Sequence, residues 1–559
     1  MNRSCLVLMI LWISQPVWAG AAATYAKQGM VVSQNRIASA VGVAVLRDGG
    51  SAVDAAIATA FALAVTHPAA GNIGGGGFLV HREADGTAVA FDFRELAPAN
   101  STVDMWLVDG KYDRLRHHRS HLAVGVPGTV AGLHLAWTKQ GRLPWARLVR
   151  PSMELAREGI DVTEELATSL RLALPKMRPY QASLDQFSNQ GKPFRPGDRL
   201  IQIDLGDSLQ RIAERGPAGF YAGKTAHLVA AEMRRGGGII TTEDLAAYEP
   251  KIRQPVHGTY RGHEIISMPP PSSGGVALIE ILNLLEGFDL RASGFGSARN
   301  LHLYGESMRR AFADRARFLG DPDFNPEMPL TRLTSKKYAS ELRKTIDLEH
   351  ASSSKPKEFQ WNYESAETTH LSVVDKDRNA VALTYTLEES YGSGIVVPGA
   401  GFLLNNEMGD FNPGPGLTDH KGLIGTPPNL TAPRKRMLSS MTPTIVAHQG
   451  KLRMVTGSPG GRTIINTVAQ TILNVIDFGM NAQEAVDAGR IHHQWLPDQL
   501  FHEQFAIAPD ASWILRGMGH QLSEVGRQGA AQVIIYDPGQ DCLSGGNDRR
   551  VADGAAVGY

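Results

Sequence analysis

The stretch that decides the fold of this chain is residues 367–386, ETTHLSVVDKDRNAVALTYT. Two runs rich in Val, Thr and Tyr flank a polar turn, a pattern typical of adjacent antiparallel strands. We expect Val374 to pair with Ala380 across this turn. That register places Thr368 opposite Thr386, where facing Cβ atoms are about 4.5–5.5 Å apart and the hydroxyl groups can meet. A register shift by one residue would separate the two threonines.

Thr368 is a candidate nucleophile. A threonine hydroxyl reacts poorly unless a base lies beside it, and the simplest base is the free amine of the same residue after the preceding bond is cut. Cleavage between Glu367 and Thr368 would supply that amine. Residues 348–366 are polar and lack periodicity, which indicates an exposed segment suited to cleavage. Threonine pairs are also common on exposed sheet faces, so these residues alone leave a purely structural role open.

The composition indicates a large globular protein without an excess of charge. The chain has 559 residues, of which 43% are hydrophobic, enough for a large core or more than one domain. Lys plus Arg and Asp plus Glu number 56 each, and no long run has one sign. This balance argues against nucleic acid or an anionic membrane as a partner and favours a small solute.

The first residues have the pattern of a secretory signal. Arg3 gives a positive start, residues 5–13 are apolar, and Ala19 is a small residue suited to cleavage. We therefore expect a signal peptide at residues 1–19 and a mature chain that is periplasmic or secreted. An uncleaved anchor is the alternative, but the apolar stretch is short beside the roughly 20 residues of a membrane span.

Two other regions carry groups suited to binding. A strand predicted at residues 88–93 delivers Arg94, and guanidinium is the group best shaped to hold a carboxylate with two parallel hydrogen bonds. The turn GSPGG at residues 457–461 precedes a helix predicted at residues 462–478, and backbone amides at such a helix start form an anion site. The glycine run at residues 71–77 lacks the Lys of a phosphate loop and precedes a strand, so we expect close backbone packing there.

Several long motifs resemble those of the gamma-glutamyltranspeptidases, also called glutathione hydrolases. They are the stretch at residues 367–386, EESYGSG at residues 388–394 and LNNEMGDF at residues 404–411. The resemblance covers nearly the whole chain after the first two dozen residues. It implies the fold of the N-terminal-nucleophile hydrolase superfamily, an α+β sandwich of four layers, αββα, with two central sheets between helical layers.

The resemblance also implies a precursor that cuts itself between Glu367 and Thr368. The products would be a large subunit, residues 20–367, and a small subunit, residues 368–559, which remain together as a heterodimer. Both subunits would form the sandwich jointly. Thr368 would then be the N-terminal residue of the small subunit and its nucleophile.

The same resemblance implies roles for further residues. Thr386 would orient the Thr368 hydroxyl. The remaining residues fall into three groups: Gly460 and Gly461 for the oxyanion hole, Arg94, Ser439 and Ser440 for the α-carboxylate of the donor, and Glu388, Glu407 and Asp410 for its α-ammonium. Three acidic groups around one pocket would repel an acyl chain without a cation, so they favour a gamma-glutamyl group, which carries an ammonium.

We therefore expect a gamma-glutamyltransferase and glutathione hydrolase. It would transfer the gamma-glutamyl group of glutathione and related amides to water or to acceptor amino acids and peptides, through an acyl-enzyme on Thr368. We expect no cofactor, and no metal ion, because no histidine pair at metal-ligand spacing occurs in the sequence with a matching acid.

Two alternatives remain open. A cephalosporin acylase of the same superfamily would take a glutaryl chain, which lacks the ammonium, and Asp410 argues against that specialisation. A non-catalytic exported binder of glutamyl peptides would remain uncut. Two positions also depart from the family pattern: many members have Asn in place of Glu388, and Lys421, in a lid-length loop at residues 412–431, stands where bacterial relatives have an aromatic residue.

Overall fold

The computed structural model describes residues 22–354, 368–417 and 425–559. Its strands are β1 Thr24–Ala26, β2 Met30–Ser33, β3 Gly76–Arg82, β4 Ala88–Phe93, β5 Leu107–Val108, β6 Lys111–Tyr112, β7 Ile160–Asp161, β8 Arg199–Leu200, β9 Lys251–Arg253, β10 Val256–Tyr260, β11 His263–Ser267, β12 Thr369–Val374, β13 Ala380–Thr386, β14 Thr444–His448, β15 Lys451–Gly457, β16 Ile491–His492, β17 Leu500–Glu503, β18 Leu522–Val525, β19 Gln532–Asp537, β20 Cys542–Asn547 and β21 Ala555–Gly558.

The helices of the described residues surround these strands. They are α1 Arg36–Arg47, α2 Ala52–Thr66, α3 Arg114–Arg119, α4 Thr129–Gln140, α5 Trp145–Glu158, α6 Glu164–Met177, α7 Gln181–Phe187, α8 Ile203–Arg215, α9 Ala218–Tyr221, α10 Gly223–Gly236, α11 Thr242–Ala246, α12 Gly274–Leu285, α13 Leu290–Ser293, α14 Ala298–Phe318, α15 Leu330–Leu333, α16 Lys336–Arg343, α17 Thr463–Ile476, α18 Ala482–Asp487 and α19 Pro509–Gly517. The predicted signal peptide at residues 1–19, Glu367 and Lys421 lie outside the described residues.

Two antiparallel sheets of seven strands each form the centre of the fold. The first has the order β1-β20-β19-β15-β14-β11-β10, and the second has the order β21-β2-β12-β13-β3-β4-β9. Strands β12 and β13 lie in the middle of the second sheet, where Val374 pairs with Ala380 and Thr369 pairs with Tyr385. This confirms the predicted hairpin register.

The sheets pack face to face, and helices cover both outer faces. Strands β12 and β13 contact β15 of the other sheet. Helices α1, α2 and α4 contact the outer face of the second sheet, and α12, α17 and α18 contact the outer face of the first. The result is the four-layer αββα sandwich that the family resemblance implied.

Strand β12 lies between two apolar cores, and its successive side chains point alternately into one core and the other. Leu371 and Val373 belong to the apolar core under α2, whereas Val374 belongs to the core that includes the space between the sheets. Residues of the same parity as Val374, including His370, therefore point toward the first sheet. His370 lies against Gly457 at the end of β15, where an added Cβ atom would come within 2.3 Å of the imidazole ring.

The first two helices follow directly from their sequences. Asn35 caps α1, and Ser51 caps α2 in a capping box with Asp54. Every residue of α2 is buried, as its nearly continuous apolar sequence predicts. The hydroxyl of Tyr385 on β13 donates a hydrogen bond of 2.8 Å to the carbonyl of Ala60, which fixes α2 beneath the hairpin. Among the described residues, no helix is long and apolar enough to cross a membrane.

Candidate active site

The predicted site residues come together in one narrow cleft, with two exceptions. Gly460 does not line the cleft, and Glu367 lies outside the described residues. The lining residues are Arg94, Thr368, Thr386, Glu388, Glu407, Asp410, Ser439, Ser440, Met441, Gly461 and Ile464. The sequence did not predict the two apolar members, Met441 and Ile464.

Thr368 lies immediately before β12, and its side chain faces the cleft next to the end of β13. It is 4% exposed. Thr386, which ends β13, accepts a hydrogen bond of 2.9 Å at its Oγ1 from the backbone N–H of Glu388. Its carbonyl accepts a second hydrogen bond of 2.8 Å from the side-chain amide of Asn72. These contacts hold the end of β13 in one position beside the candidate nucleophile.

The glycine-rich turn between β15 and α17 presents unpaired backbone amides. Thr463 donates hydrogen bonds of 3.0 and 2.7 Å to the carbonyl of Gly460, and Ile464 donates one of 3.2 Å to that of Gly461. Within residues 22–354, 368–417 and 425–559, the N–H groups of the two glycines have no hydrogen-bond partner. Gly460 has φ 131° and Gly461 has φ 54°, so both occupy backbone conformations that favour glycine. The turn can therefore offer N–H donors to an anion at the cleft.

Arg94 is fully buried and lies at the centre of a set of acidic residues. Its terminal nitrogens donate to Glu407 and Asp410, and its Nε donates 3.3 Å to the carbonyl of Met437. Burial lowers the pKa of Arg94, but the charges of Glu407, Asp410 and Glu95 outweigh burial and raise it above its ordinary value. A guanidinium has five N–H groups, so these bonds leave one N–H on each terminal nitrogen for a further acceptor.

The carboxylates around Arg94 are more numerous than its charge can balance. Burial raises the pKa of Glu407 well above its ordinary value, although Arg94 opposes the shift. Burial also raises the pKa of Glu388 to about 7. In the described part of the chain, neither oxygen of the Glu388 carboxylate has a hydrogen-bond partner. An unpaired buried acid of this kind is costly unless a ligand cation pairs with it.

Ser439 and Ser440 are held in position by a residue that the sequence did not predict. Arg315, fully buried on α14, donates 2.9 Å to Oγ of Ser440 and 2.8 Å to Oγ of Ser273. Ser273 in turn donates 2.6 Å to the carbonyl of Ser439. The sequence offered one signal for Arg315: it lies on the same face of α14 as Ala311, and that face is apolar and buried.

Two groups of histidine and glutamate residues in the described parts of the chain come close enough to hold a metal ion. One contains His302 and His520, which are far apart in sequence, so residue spacing did not predict their proximity. Their ring nitrogens Nδ1 and Nε2 are 2.8 Å apart. Glu306, the third member, already accepts hydrogen bonds from Arg309 and Arg310, which makes it a poor metal ligand.

The sequence model of the gamma-glutamyltranspeptidase family matches residues 38–558. The chain belongs to this family. It is 48% identical to the glutathione hydrolase proenzyme of Escherichia coli (strain K12) over 96% of this chain and 92% of that protein. It is 44% identical to the glutathione hydrolase proenzyme of Pseudomonas sp. (strain A14) over 96% of this chain and 95% of that protein.

The fold also matches a solved relative over the whole chain. The cephalosporin acylase of Bacillus halodurans superposes with a TM-score of 0.86 at 28% identity, covering 99% of both chains. The N-terminal-nucleophile hydrolase fold expected from the sequence is therefore confirmed. Acylase activity therefore remains the alternative to glutathione hydrolysis, because the Bacillus halodurans acylase shares the whole architecture.

Proposed function

We propose that this family member is the precursor of a gamma-glutamyltransferase and glutathione hydrolase with Thr368 as its nucleophile. One observation carries the proposal: a single cleft contains a threonine at a strand start, a buried arginine and three acidic side chains, of which Glu388 and Glu407 are buried. The threonine suits acyl transfer, while the arginine and acids suit the α-carboxylate and α-ammonium of a glutamyl group. The proposed subunits are residues 20–367 and 368–559.

Acyl transfer would begin after cleavage before Thr368. The free amine of Thr368 takes the proton of its own hydroxyl as Oγ1 attacks the gamma-carbonyl carbon of the donor. The carbonyl oxygen becomes an oxyanion, which the N–H groups of Gly460 and Gly461 stabilise. The intermediate collapses, the C–N bond breaks, and the amine of Thr368 returns the proton to the leaving nitrogen. A gamma-glutamyl ester on Thr368 remains.

The ester is then resolved by a second nucleophile. Water gives glutamate, and the amine of an amino acid or peptide gives a new gamma-glutamyl amide. In each case the Thr368 amine accepts the proton of the attacking group and returns a proton to Oγ1. Thr386 supports both steps by orienting the hydroxyl of Thr368 from the end of β13.

The donor would be recognised by its two α-substituents. The α-carboxylate accepts from the remaining N–H groups of Arg94 and from the hydroxyl groups of Ser439 and Ser440. The α-ammonium contacts the acidic side chains that line the cleft, namely Glu388, Glu407 and Asp410. An ammonium lowers the cost of keeping these buried acids ionised, so the pocket selects gamma-glutamyl over an acyl chain without a cation.

The intact mass of the purified protein, with N-terminal sequencing of each fragment, tests the nucleophile. We expect two fragments, the smaller beginning at Thr368, and one uncut chain for Thr368→Ala. We also expect the wild type to hydrolyse gamma-glutamyl-p-nitroanilide and Thr368→Ala to be inactive. An uncut and inactive wild-type chain that still binds glutathione would instead support the exported binder.

A cephalosporin acylase is the second candidate, because the Bacillus halodurans acylase shares the full fold. The two candidates differ in one substituent of the acyl chain. We expect kcat/KM for gamma-glutamyl-p-nitroanilide to exceed that for glutaryl-p-nitroanilide by at least about 100-fold, since the buried Glu388 carboxylate needs a cation. Equal values for the two anilides would favour the acylase.

We also propose that the protein is exported and acts in the periplasm or outside the cell. The support is the signal-like pattern of residues 1–19. Cell fractionation with N-terminal sequencing of the large subunit tests this. A large subunit that begins near Gly20 in the periplasmic or secreted fraction is the expected result, and one that retains Met1 in the cytoplasm contradicts it.

A further inference from the structure

His118 and Glu388 form a buried pair at the edge of the cleft. Nδ1 of His118 lies 3.7 Å from Oε1 of Glu388, an ion-pair distance that is too long for a hydrogen bond. The side chains are 4% and 2% exposed. Within the described ranges, Nδ1 and both carboxylate oxygens have no hydrogen-bond partner. Leaving three buried polar atoms unpaired costs stability, so their arrangement calls for a functional explanation.

The position of each partner is fixed by the surrounding backbone. The imidazole of His118 packs on Gly409, where an added Cβ atom would come within 2.4 Å of Nδ1. The carbonyl of His118 accepts a hydrogen bond of 3.1 Å from the side-chain amide of Asn406. Glu388 has φ 81°, an uncommon conformation for a residue with a side chain. These contacts and this backbone conformation hold His118 and Glu388 next to each other.

His117, the nearest titratable neighbour on α3, does not compete for this role. Its Nε2–H donates 3.0 Å to the carbonyl of Met408, so its Nδ1 accepts from the hydroxyl of Tyr112 at 3.1 Å. Burial lowers the pKa of His117 well below its ordinary value, so its ring remains neutral. The rings of His117 and His118 lie 4.6 Å apart.

The other charged groups facing the pair are engaged elsewhere. Glu389 pairs with Arg119 at 2.7 Å and with Lys176 at 3.3 Å. Asp410 and Glu407 pair with Arg94. Among these neighbours, His118 is the group whose ring nitrogen lies within ion-pair distance of the Glu388 carboxylate.

Burial raises the pKa of Glu388 to about 7, and the nearby charges of Glu389 and Asp410 add to the increase. His118 opposes both effects and lowers that pKa. The balance puts the ionisation of Glu388 in the range of ordinary working pH. Removing His118 would raise the pKa of Glu388 further and leave its carboxyl neutral at pH 7.

We propose that His118 is a positioning residue that keeps the Glu388 carboxylate ionised and directed at the α-ammonium of the donor. The inference rests on the proposed function and extends it to a residue that does not line the cleft. It assigns this chain a histidine-supported carboxylate at a position where many family members have Asn. Donor binding is then linked to loss of the proton from Glu388 at pH values below the pKa of that carboxyl.

The first test is the pH dependence of KM for gamma-glutamyl-p-nitroanilide between pH 5.5 and 9.5, for the processed wild type and His118→Leu. Below about pH 7, we expect the wild-type KM to rise about tenfold per pH unit. For His118→Leu, the rise should begin at higher pH, so that KM at pH 7 is at least about fivefold above wild type and the two values converge near pH 9.5. We expect kcat at saturation to change by less than about twofold.

His118→Gln is the matched variant, because it keeps a donor of similar reach without the imidazole. Its KM should lie between those of wild type and His118→Leu, and it decides the question if His118→Leu does not fold or is not processed. A KM profile for His118→Gln that coincides with that of wild type, with an unchanged profile for His118→Leu, would overturn the proposal.

A double-mutant comparison separates positioning from a general structural role. In a Glu388→Gln background, His118→Leu should change KM by less than about 1.5-fold, because there is no carboxylate to hold ionised. KM for glutaryl-p-nitroanilide, which has no ammonium, should not rise in His118→Leu. Equal effects in both backgrounds, or parallel effects on both anilides, contradict the inference. A wild type that does not hydrolyse gamma-glutamyl-p-nitroanilide contradicts the proposed function itself.

Discussion

Two buried clusters of charge in this molecule have similar composition but opposite organisation. The acidic pocket, at the cleft, consists of Arg94, Glu95, Glu388, Glu407 and Asp410. The α14 cluster consists of Glu306, Arg309, Arg310, His493 and Asp498. In the acidic pocket one arginine faces four acids, whereas in the α14 cluster two arginines face two acids. The difference supports our proposal that the acidic pocket binds a ligand cation, whereas the α14 cluster stabilises the fold.

The pKa values of individual acids in the two clusters show this difference. In the α14 cluster, hydrogen bonds and charge from Arg309 and Arg310 outweigh burial and lower the pKa of Glu306 to about 2. In the acidic pocket, burial outweighs Arg94 and raises the pKa of Glu95 to about 8. The first acid stabilises the fold when ionised, and the second costs stability when ionised. We propose that a ligand ammonium supplies positive charge to the acidic pocket and offsets this cost.

The largest expected effect comes from removing the one cation of the acidic pocket. We expect Arg94→Met to lower kcat/KM for gamma-glutamyl-p-nitroanilide by about 10³-fold, because losing one partner of a buried hydrogen-bonded charge pair costs about 2–5 kcal/mol. Arg94→Lys should recover only a small part, since lysine lacks the planar fork. Steady-state kinetics on processed enzyme measure both variants, and a loss below tenfold for Arg94→Met contradicts the role.

The matched substitution in the α14 cluster should affect stability and leave substrate binding unchanged. Arg309→Met removes a buried cation that pairs with Glu306 and Asp498. We expect a loss of about 3 kcal/mol in the free energy of unfolding at pH 7, with kcat/KM within about threefold of wild type. Urea denaturation and kinetics measure the two quantities.

The same variant has a pH signature. Because the pKa of Glu306 is lowered from 4.5 to about 2, its contribution is present above pH 4.5 and is lost as pH falls toward 2. The stability difference between wild type and Arg309→Met should therefore shrink in acid. A difference that is constant from pH 3 to pH 7 contradicts an electrostatic origin.

The smallest effect is a gain of stability in the acidic pocket. Because burial raises the pKa of Glu388 from 4.5 to about 7, its ionisation costs the folded state increasingly as pH rises through that interval. We expect Glu388→Gln to raise the denaturation temperature by about 2 °C at pH 8 and by nothing near pH 4.5. Thermal denaturation across pH tests this, and an equal shift at both pH values contradicts it.

Local sequence patterns predicted the scaffold of the site well. The register of Val374 and Ala380, the capped and buried helix α2, and the turn before α17 all depend on neighbouring residues, where alternation, capping and glycine content have direct physical meaning. The predicted helix at residues 462–478 differs from α17 only at its ends.

The acidic pocket lies beyond such patterns. Arg94 meets Glu407 and Asp410 across more than three hundred residues, and only the family resemblance brought them together beforehand. Residue roles that a resemblance does not carry were missed altogether. Arg315 and His118 contact their partners through folded geometry, and nothing in the residues beside them in sequence identifies those partners.

The order of strands has a consequence for the two proposed subunits. Strands β2, β3, β4 and β9 of one sheet come from the chain before residue 368, and β12, β13 and β21 come from the chain after it. The other sheet is mixed in the same way, with β1, β10 and β11 beside β14, β15, β19 and β20. Neither proposed subunit would contain a complete sheet, so we expect neither to fold alone. We therefore expect separation of the proposed subunits to be coupled to unfolding, so that the stability of the cut protein, unlike that of the uncut chain, depends on its concentration.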